Sequence, residues 1–355
     1  MPLYGMEMEI LRLTGLPRMA VINNKEKHRP EFIEDWKAEA RKHFNTIRLF
    51  DAQRATYAER IDLLESLKNI DPDWRPPLEE VISAFKQDWR RRIEDTVSTI
   101  MDLLTAAARH KVTQTCQDES ALPQVKKQLQ EQFKTDLDRF EKSAHKTIRR
   151  RFKHNIFNYE LPPQSIVHED LFSKKSWRVL GMKQWQIAAA GAAGGSAVGA
   201  KIDLALAGQG VGISTAGGGL IGGLIGGGSA ALGARQATSA KVKGLTLGRL
   251  KVQVGPVKND QMLYVLLDRA LIYFSHVINW AHSRRDQPEP SGSSSNSGKK
   301  GFTAQWDAST RKLFSRFFIA AKKQDGIKIA AEKPKAAAFL SKTLTDISEL
   351  KQPAA

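Results

Sequence analysis

Between Asp203 and Arg235 the chain carries no ionisable side chain, and the longer stretch from Ile187 to Ala234 is dominated by glycine, alanine and aliphatic residues. Its glycines recur at every fourth position. Gly191, Gly195 and Gly199 form one row, Gly218, Gly222 and Gly226 a second, and Gly219, Gly223 and Gly227 run beside the second. In water an interior helical glycine costs about 1 kcal/mol relative to alanine, so such a run makes a poor soluble helix. In a bilayer the backbone has no solvent partner, helix is enforced, and bare glycine faces let two helices approach closely. The pattern predicts a glycine-zipper hairpin over 181–240 that engages a membrane. Val211 to Ala234 is long enough for the roughly 20 residues of one crossing, whereas Gln186 to Ala200 is shorter. A hairpin that spans and one that only dips therefore both remain open, and a soluble glycine-packed hairpin or a flexible loop are the competing readings.

Charge points the same way without choosing a partner. The 355 residues include 55 Lys+Arg against 38 Asp+Glu, a formal net charge of +17. Such a balance attracts polyanions, and both an anionic leaflet and nucleic acid qualify. Lys174, Lys175, Arg178 and Lys183 precede the glycine-rich stretch, and Arg235, Lys241, Lys243, Arg249 and Lys251 follow it. The positive-inside rule puts both flanks in the cytoplasm, with the turn at Asp203–Gly210 buried deep or outside. The first residues lack the basic-then-apolar pattern of a signal peptide, which places the chain in the cytoplasm and its membrane contact at the cytoplasmic face. Cys116 is the only cysteine, so an internal disulfide and a cysteine-rich zinc site are excluded.

Elsewhere the chain reads as mainly α. A helix end at 6–14 is followed by a short apolar strand at Arg18–Asn23, a helix at Glu31–Phe44, a second strand at Thr46–Phe50 and a helix at Tyr57–Leu67. This order signals a parallel α/β sheet, and two such strands make only part of one. From Pro77 to about Lys153 two apolar stripes recur at helical spacing. The first is Val81, Phe85, Trp89, Ile93, Val97, Ile100, Leu104 and Ala107; the second is Val125, Leu129, Phe133, Leu137, Phe140, Ala144, Ile148 and Phe152. A polar break at Thr113–Pro123 would join them as an antiparallel hairpin, a stalk or bundle over 77–180 that is open to self-association or a protein partner. An amphipathic helical segment is expected at 241–284, with Asp268 and Arg269 at the centre of Gln261–Ala281 arguing against a membrane span. A flexible polar linker follows at 285–301. Within 302–355 helices are expected at Trp306–Lys323 and Ala336–Leu350, with a mobile Lys- and Ala-rich stretch between them.

The run EMEILRLTGLPRMAVINNK at 7–25, then TIRLFDAQ at 46–53, a helical region and a glycine-rich hairpin resemble proteobacterial fusion proteins in which a Ras-like GTPase domain precedes a C-terminal domain of unknown function. The resemblance implies that 1–72 is the end of a GTPase-like α/β domain. Asn24 and Lys25 would then stand where such GTPases place their guanine-reading Asn-Lys-x-Asp, although Lys27 occupies the position of the Asp. GTP and magnesium are implied only for intact relatives. No G-x-x-x-x-G-K-[ST] motif occurs in this sequence, the nearest approach being Gly292–Lys300, where the spacing is one residue too long. Binding or scaffolding is therefore expected here rather than hydrolysis.

Other chemistry is sparse. The eight histidines form no H-x-x-x-H or H-E-x-x-H pair, and the densest ligand-like run, His168-Glu169-Asp170, reads as a solvated turn. No catalytic residue and no metal site is identified. Arg149, Arg150, Arg151 and Lys153 form a basic patch able to meet headgroups or RNA. The resulting expectation is a membrane-associated helical module of a bacterial GTPase-like protein at the inner membrane. A basic nucleic-acid-binding or adaptor protein, or a pore-forming hairpin protein, are the alternatives.

Overall fold

The computed structural model describes residues 2–23, 31–50, 55, 57–116, 119–152, 165–169, 171–172, 180, 211–216, 241–242, 245–246, 250–257, 259–278 and 301–349. Near the N-terminus, α1 (Pro2–Leu13), β1 (Met19–Ile22), α2 (Glu31–His43) and β2 (Thr46–Leu49) follow in order, and β1 and β2 pair in parallel from Met19–Thr46 to Ile22–Leu49. The expected strand–helix–strand order is present. After α3 (Tyr57–Lys68), α4 (Arg75–Arg109) starts with prolines in its first turn, where a missing N–H removes no helical bond.

Helices α4 and α5 (Leu122–Arg151) run antiparallel, since His110 meets Asp136 near one end while Arg151 reaches Asp95 near the other. Their stripes face inward from Ile93 and Val125 onward. At its start the α4 stripe shifts by one residue: Ile82 is buried, whereas Val81 and Phe85 are exposed. The polar break holds a strand, β3 (Val112–Cys116). It pairs antiparallel with β7 (Leu250–Val257), whose other edge takes β4 (Val211–Ala216), so the sheet order is β3–β7–β4. Two-residue strands β5 (Lys241–Val242) and β6 (Leu245–Thr246) form a separate pair.

Two expectations change here. The segment 241–284 is not helical throughout, because Leu250–Val257 alternates with period two: Val252 and Val254 are buried and Lys251 is exposed. Likewise Val211–Ala216, expected to open a long helix, is extended and hydrogen-bonded to β7.

The centre of the body is α6 (Gln261–Ile278), which is not amphipathic. From Gln261 to Phe274 every residue is buried. A helix apolar on all sides belongs in the interior, and α4, α5, α7 (Ala308–Lys323) and α8 (Gly326–Glu349) supply the surrounding wall. Segments expected as stalk, amphipathic helix and C-terminal helices thus share one core that runs from Ile93 to Ile347. The Lys- and Ala-rich stretch expected to be mobile is the first part of α8. Asp325 accepts a bond from the Lys328 N–H at 3.1 Å, alanines favour the helix, and Pro334 is carried inside it. Among the described residues no helix is long and apolar enough to cross a membrane.

Candidate functional site

The two charges in α6 do not face water. The Asp268 carboxylate accepts from the Thr303 N–H at 2.8 Å and the Thr303 hydroxyl at 2.9 Å, tying the 3₁₀ turn Phe302–Gln305 to the central helix. Gly301 makes this possible, because a Cβ there would lie 1.9 Å from Asp268 Oδ2. Arg269 points toward α5. Its Nε and Nη2 donate to the two carboxylate oxygens of Glu141 at 2.5 and 3.0 Å. The remaining donors go to backbone: Nη1 to the carbonyls of Glu169 at 2.8 Å and Ile166 at 3.3 Å, and Nη2 to that of Val167 at 3.1 Å. All five guanidinium N–H groups are therefore used. A planar five-donor fork suits this double task, which an ammonium could not perform. The consequence is that segment 165–169, which leads toward the glycine-rich stretch, is clamped to the core.

The surroundings of the pair are apolar. Burial pushes the Glu141 carboxyl up, and the neighbouring Arg269 charge opposes that push. One turn along α5, His145 stacks on Tyr273 with ring centroids 4.0 Å apart and planes 8° from parallel. Burial, reinforced by Arg269, holds the His145 imidazole down at about 3. Burial and then the charge of His168 lower His276 to about 4, and its Nε2 lies 3.4 Å from the Ser165 hydroxyl. At neutral pH both imidazoles are neutral. The cluster is thus a clamp made of one ion pair, backbone acceptors and neutral rings. Among the described residues no group of three or more His, Cys, Asp or Glu is placed to hold a metal ion.

The residues singled out from sequence fare unevenly. Gly191, Gly195, Gly199, Gly218, Gly219, Gly222, Gly223, Gly226 and Gly227, with Asn24, Lys25 and Lys153, lie outside the described residues. The run Arg149–Arg151 splits around its helix. Arg149 is half-buried near Tyr273, Arg151 is bound to Asp95, and only Arg150 is exposed. In the run His168-Glu169, His168 is exposed but the Glu169 carbonyl is held by Arg269, so the turn is not simply solvated. Asn23, next to the expected base-reading pair, lines an open cleft of about 860 Å³ between α1, β1 and α2, whose walls are mainly apolar: Tyr4, Leu11, Ile22, Phe32 and Trp36. Tyr4, Leu11, Phe32 and Trp36 stay substantially exposed there. Sequence reasoning missed Glu141 and the clamp. The available signal was a charged pair, Asp268-Arg269, inside an otherwise apolar helix, which demands partners wherever it is buried.

Against known proteins, residues 37–345 match a family described as a domain of unknown function, DUF3482, and the chain belongs to that family. No curated protein and no solved structure matches it.

Proposed function

We propose that this DUF3482 domain is a membrane-docking scaffold, a rigid helical body that presents its glycine-rich stretch to an anionic bilayer at the cytoplasmic face of the bacterial inner membrane. The observation that carries the reading is the way the stretch is bracketed. On its N-terminal side Arg269 clamps the backbone of 165–169, and within it β4 is hydrogen-bonded to β7 of the same body. Helix α6 uses its apolar surface inside the core. The glycine-rich stretch has a composition that suits a bilayer better than water.

The reading extends to the N-terminal unit. A parallel β1–β2 pair beside an exposed apolar cleft supports its being part of a larger α/β layer, as in a GTPase-like domain. In that setting the module binds or scaffolds and does not turn over GTP, because the sequence has no phosphate-cradling loop.

The test is fractionation of the expressed chain beside a version lacking both 187–205 and 217–234, deletions that leave β4 and β7 in place. The intact chain should resist high-salt and carbonate washes of the membrane pellet, and the deletion should be released. Release of the intact chain by salt alone would overturn insertion, and measurable GTP turnover by the purified chain would overturn the scaffold assignment.

A further inference from the structure

Residues 2–50 are thinly packed for a folded unit. Strand β1 pairs with β2 alone, so among the described residues the parallel sheet ends after two strands. The carbonyls of Arg18 and Ile22 accept from the N–H groups of Asn45 and Phe50 at 3.0 Å, which fixes the bonding alternation. Met19 and Val21, out of phase with them, turn their backbone N–H and C=O groups to the other edge. The cleft of about 860 Å³ runs along that edge. Met19, Ala20, Val21, Ile22 and Asn23 all line it, although successive side chains of a strand point to opposite faces.

The wall of the cleft is apolar and incompletely covered. Tyr4 of α1 and Trp36 of α2 meet on it with ring centroids 6.0 Å apart, and both remain exposed, as do Leu11 and Phe32. Met6, Ile10 and Leu13, at steps of four and three residues, make a second exposed row on the other side of α1. Together these side chains leave roughly 800 Å² of apolar surface open, the share of one partner in an interface of standard size and more than a monomer ordinarily exposes in one region.

Charge decides which partner fits. The whole chain carries +17, so two copies repel over most of their surface. The described residues of 2–50 are instead balanced, with six acidic and six basic side chains, and Glu7 is the charged group on the cleft wall. A second copy can approach this unit without that repulsion, and a polyanion finds no complementary charge on it.

We propose that this edge is a homodimer interface. Strand β1 of one copy pairs antiparallel with β1 of a second across a two-fold axis, in the order β2–β1–β1–β2, and apolar side chains of α1 and α2 close over the join. The proposal rests on the reading of the unit as part of a larger α/β layer, and it names a second copy of this chain as what enlarges it. A two-fold contact fits because both copies carry the same edge and the same apolar wall, and antiparallel pairing is what such an axis produces. Four strands with a covered face make a stable sheet where two do not.

The test is sedimentation of the full chain in mild non-ionic detergent, beside Val21→Lys and Val21→Glu. Val21 is exposed and its peptide groups face away from β2, so neither substitution breaks the β1–β2 pair. The parent should be a dimer that dissociates on dilution. Each variant alone places like charges on both sides of the axis and should dimerise at least about a hundredfold more weakly. An equimolar mixture of the two variants should regain dimers, because the charges are then opposite, a result that misfolding cannot produce. A parent that is monomeric at every concentration overturns the proposal, and so does a mixture that stays monomeric. A variant that dimerises like its parent also overturns it, by moving self-association to another surface such as the glycine-rich stretch. In a monomeric parent, amide exchange at Met19 and Val21 separates the two readings. Rapid exchange leaves the edge open, so that only the second copy falls; slow exchange shows the edge already covered and takes the larger layer with it.

Discussion

Replacing Arg269 separates two roles that the structure gives to one side chain. In Arg269→Met the buried Glu141 carboxyl loses both of its guanidinium bonds, and the carbonyls of Ile166, Val167 and Glu169 lose their donor. Removing one partner of a buried ion pair is expected to destabilise the body by about 3–5 kcal/mol, mostly through the charge left unpaired. Glu141→Met should cost a similar amount, since it strands the guanidinium instead. The double variant leaves no charge behind and fills the site with flexible apolar side chains. It should recover most of the loss, giving a coupling of about 2 kcal/mol or more between the positions. The loop behaves otherwise. Nothing in the double variant restores donors to the three carbonyls, so segment 165–172 should detach even where the core is restored.

Urea unfolding of the four proteins gives the coupling, and amide exchange with limited proteolysis of 165–180 gives the anchoring. Additive single effects, with coupling below about 0.5 kcal/mol, would show that the two charges do not stabilise each other. Protection of 165–172 in the double variant equal to that of the parent would refute the clamp, because the bonds to the three carbonyls would then hold nothing.

Acid should unfold the domain through its histidines. Burial depresses His145 to about 3 and His276 to about 4, against an ordinary value of 6.5. The unfolded chain therefore takes up protons that the folded one refuses. This stabilisation is complete above about 6.5 and falls away toward pH 4, by roughly 3 kcal/mol for each ring. Glu141, raised by burial, works in the opposite sense and offsets part of it. His145→Phe keeps the stack on Tyr273 and should lower the midpoint of acid unfolding; an unchanged midpoint would remove His145 as a cause. Gly301→Ala drives a methyl against Asp268 Oδ2 and should cost about 3 kcal/mol by breaking two bonds from Thr303 to a buried carboxylate, read by denaturant midpoint. Gly5→Ala, with open space at its Cβ, is the matched control and should show no loss.

The local elements were legible wherever a period of two or 3.6 ran long enough. The strands at Met19–Ile22 and Thr46–Leu49 and the inner faces of α4 and α5 follow directly from patterning. Helix α6 was misread because a helix apolar on every side has no preferred face, and Asp268-Arg269 imitated a polar one. The alternation in Leu250–Val257 was visible, but the partner of β3 was not: Val112 pairs with Val254 across a sequence separation that no local signal spans. The same distance hides Glu141 from Arg269. Pro334 and the lysines disguised the start of α8, whose alanines and buried Ala336 and Leu340 decide it as a helix. Sequence pattern assigns periods and faces, and it is silent on which faces meet.

Those long-range pairings also bear on how the proposed membrane contact could work. Leu180 is buried in the core, the clamp holds 165–169, and Val211–Ala216 is bonded to β7, with Ala216 opposite Lys251. The points at which the chain leaves and rejoins the body are therefore all on one body, and each excursion must return to the side from which it started. A crossing takes roughly 20 helical residues, so a passage across and back takes about 40. Neither 181–210 nor 217–249 is that long. On the proposed membrane reading, neither segment has the length for two full spans, so that reading calls for a shallow insertion and not a crossing. Such a shallow insertion makes the glycine spacing more useful, because its two limbs must pack closely over a short length.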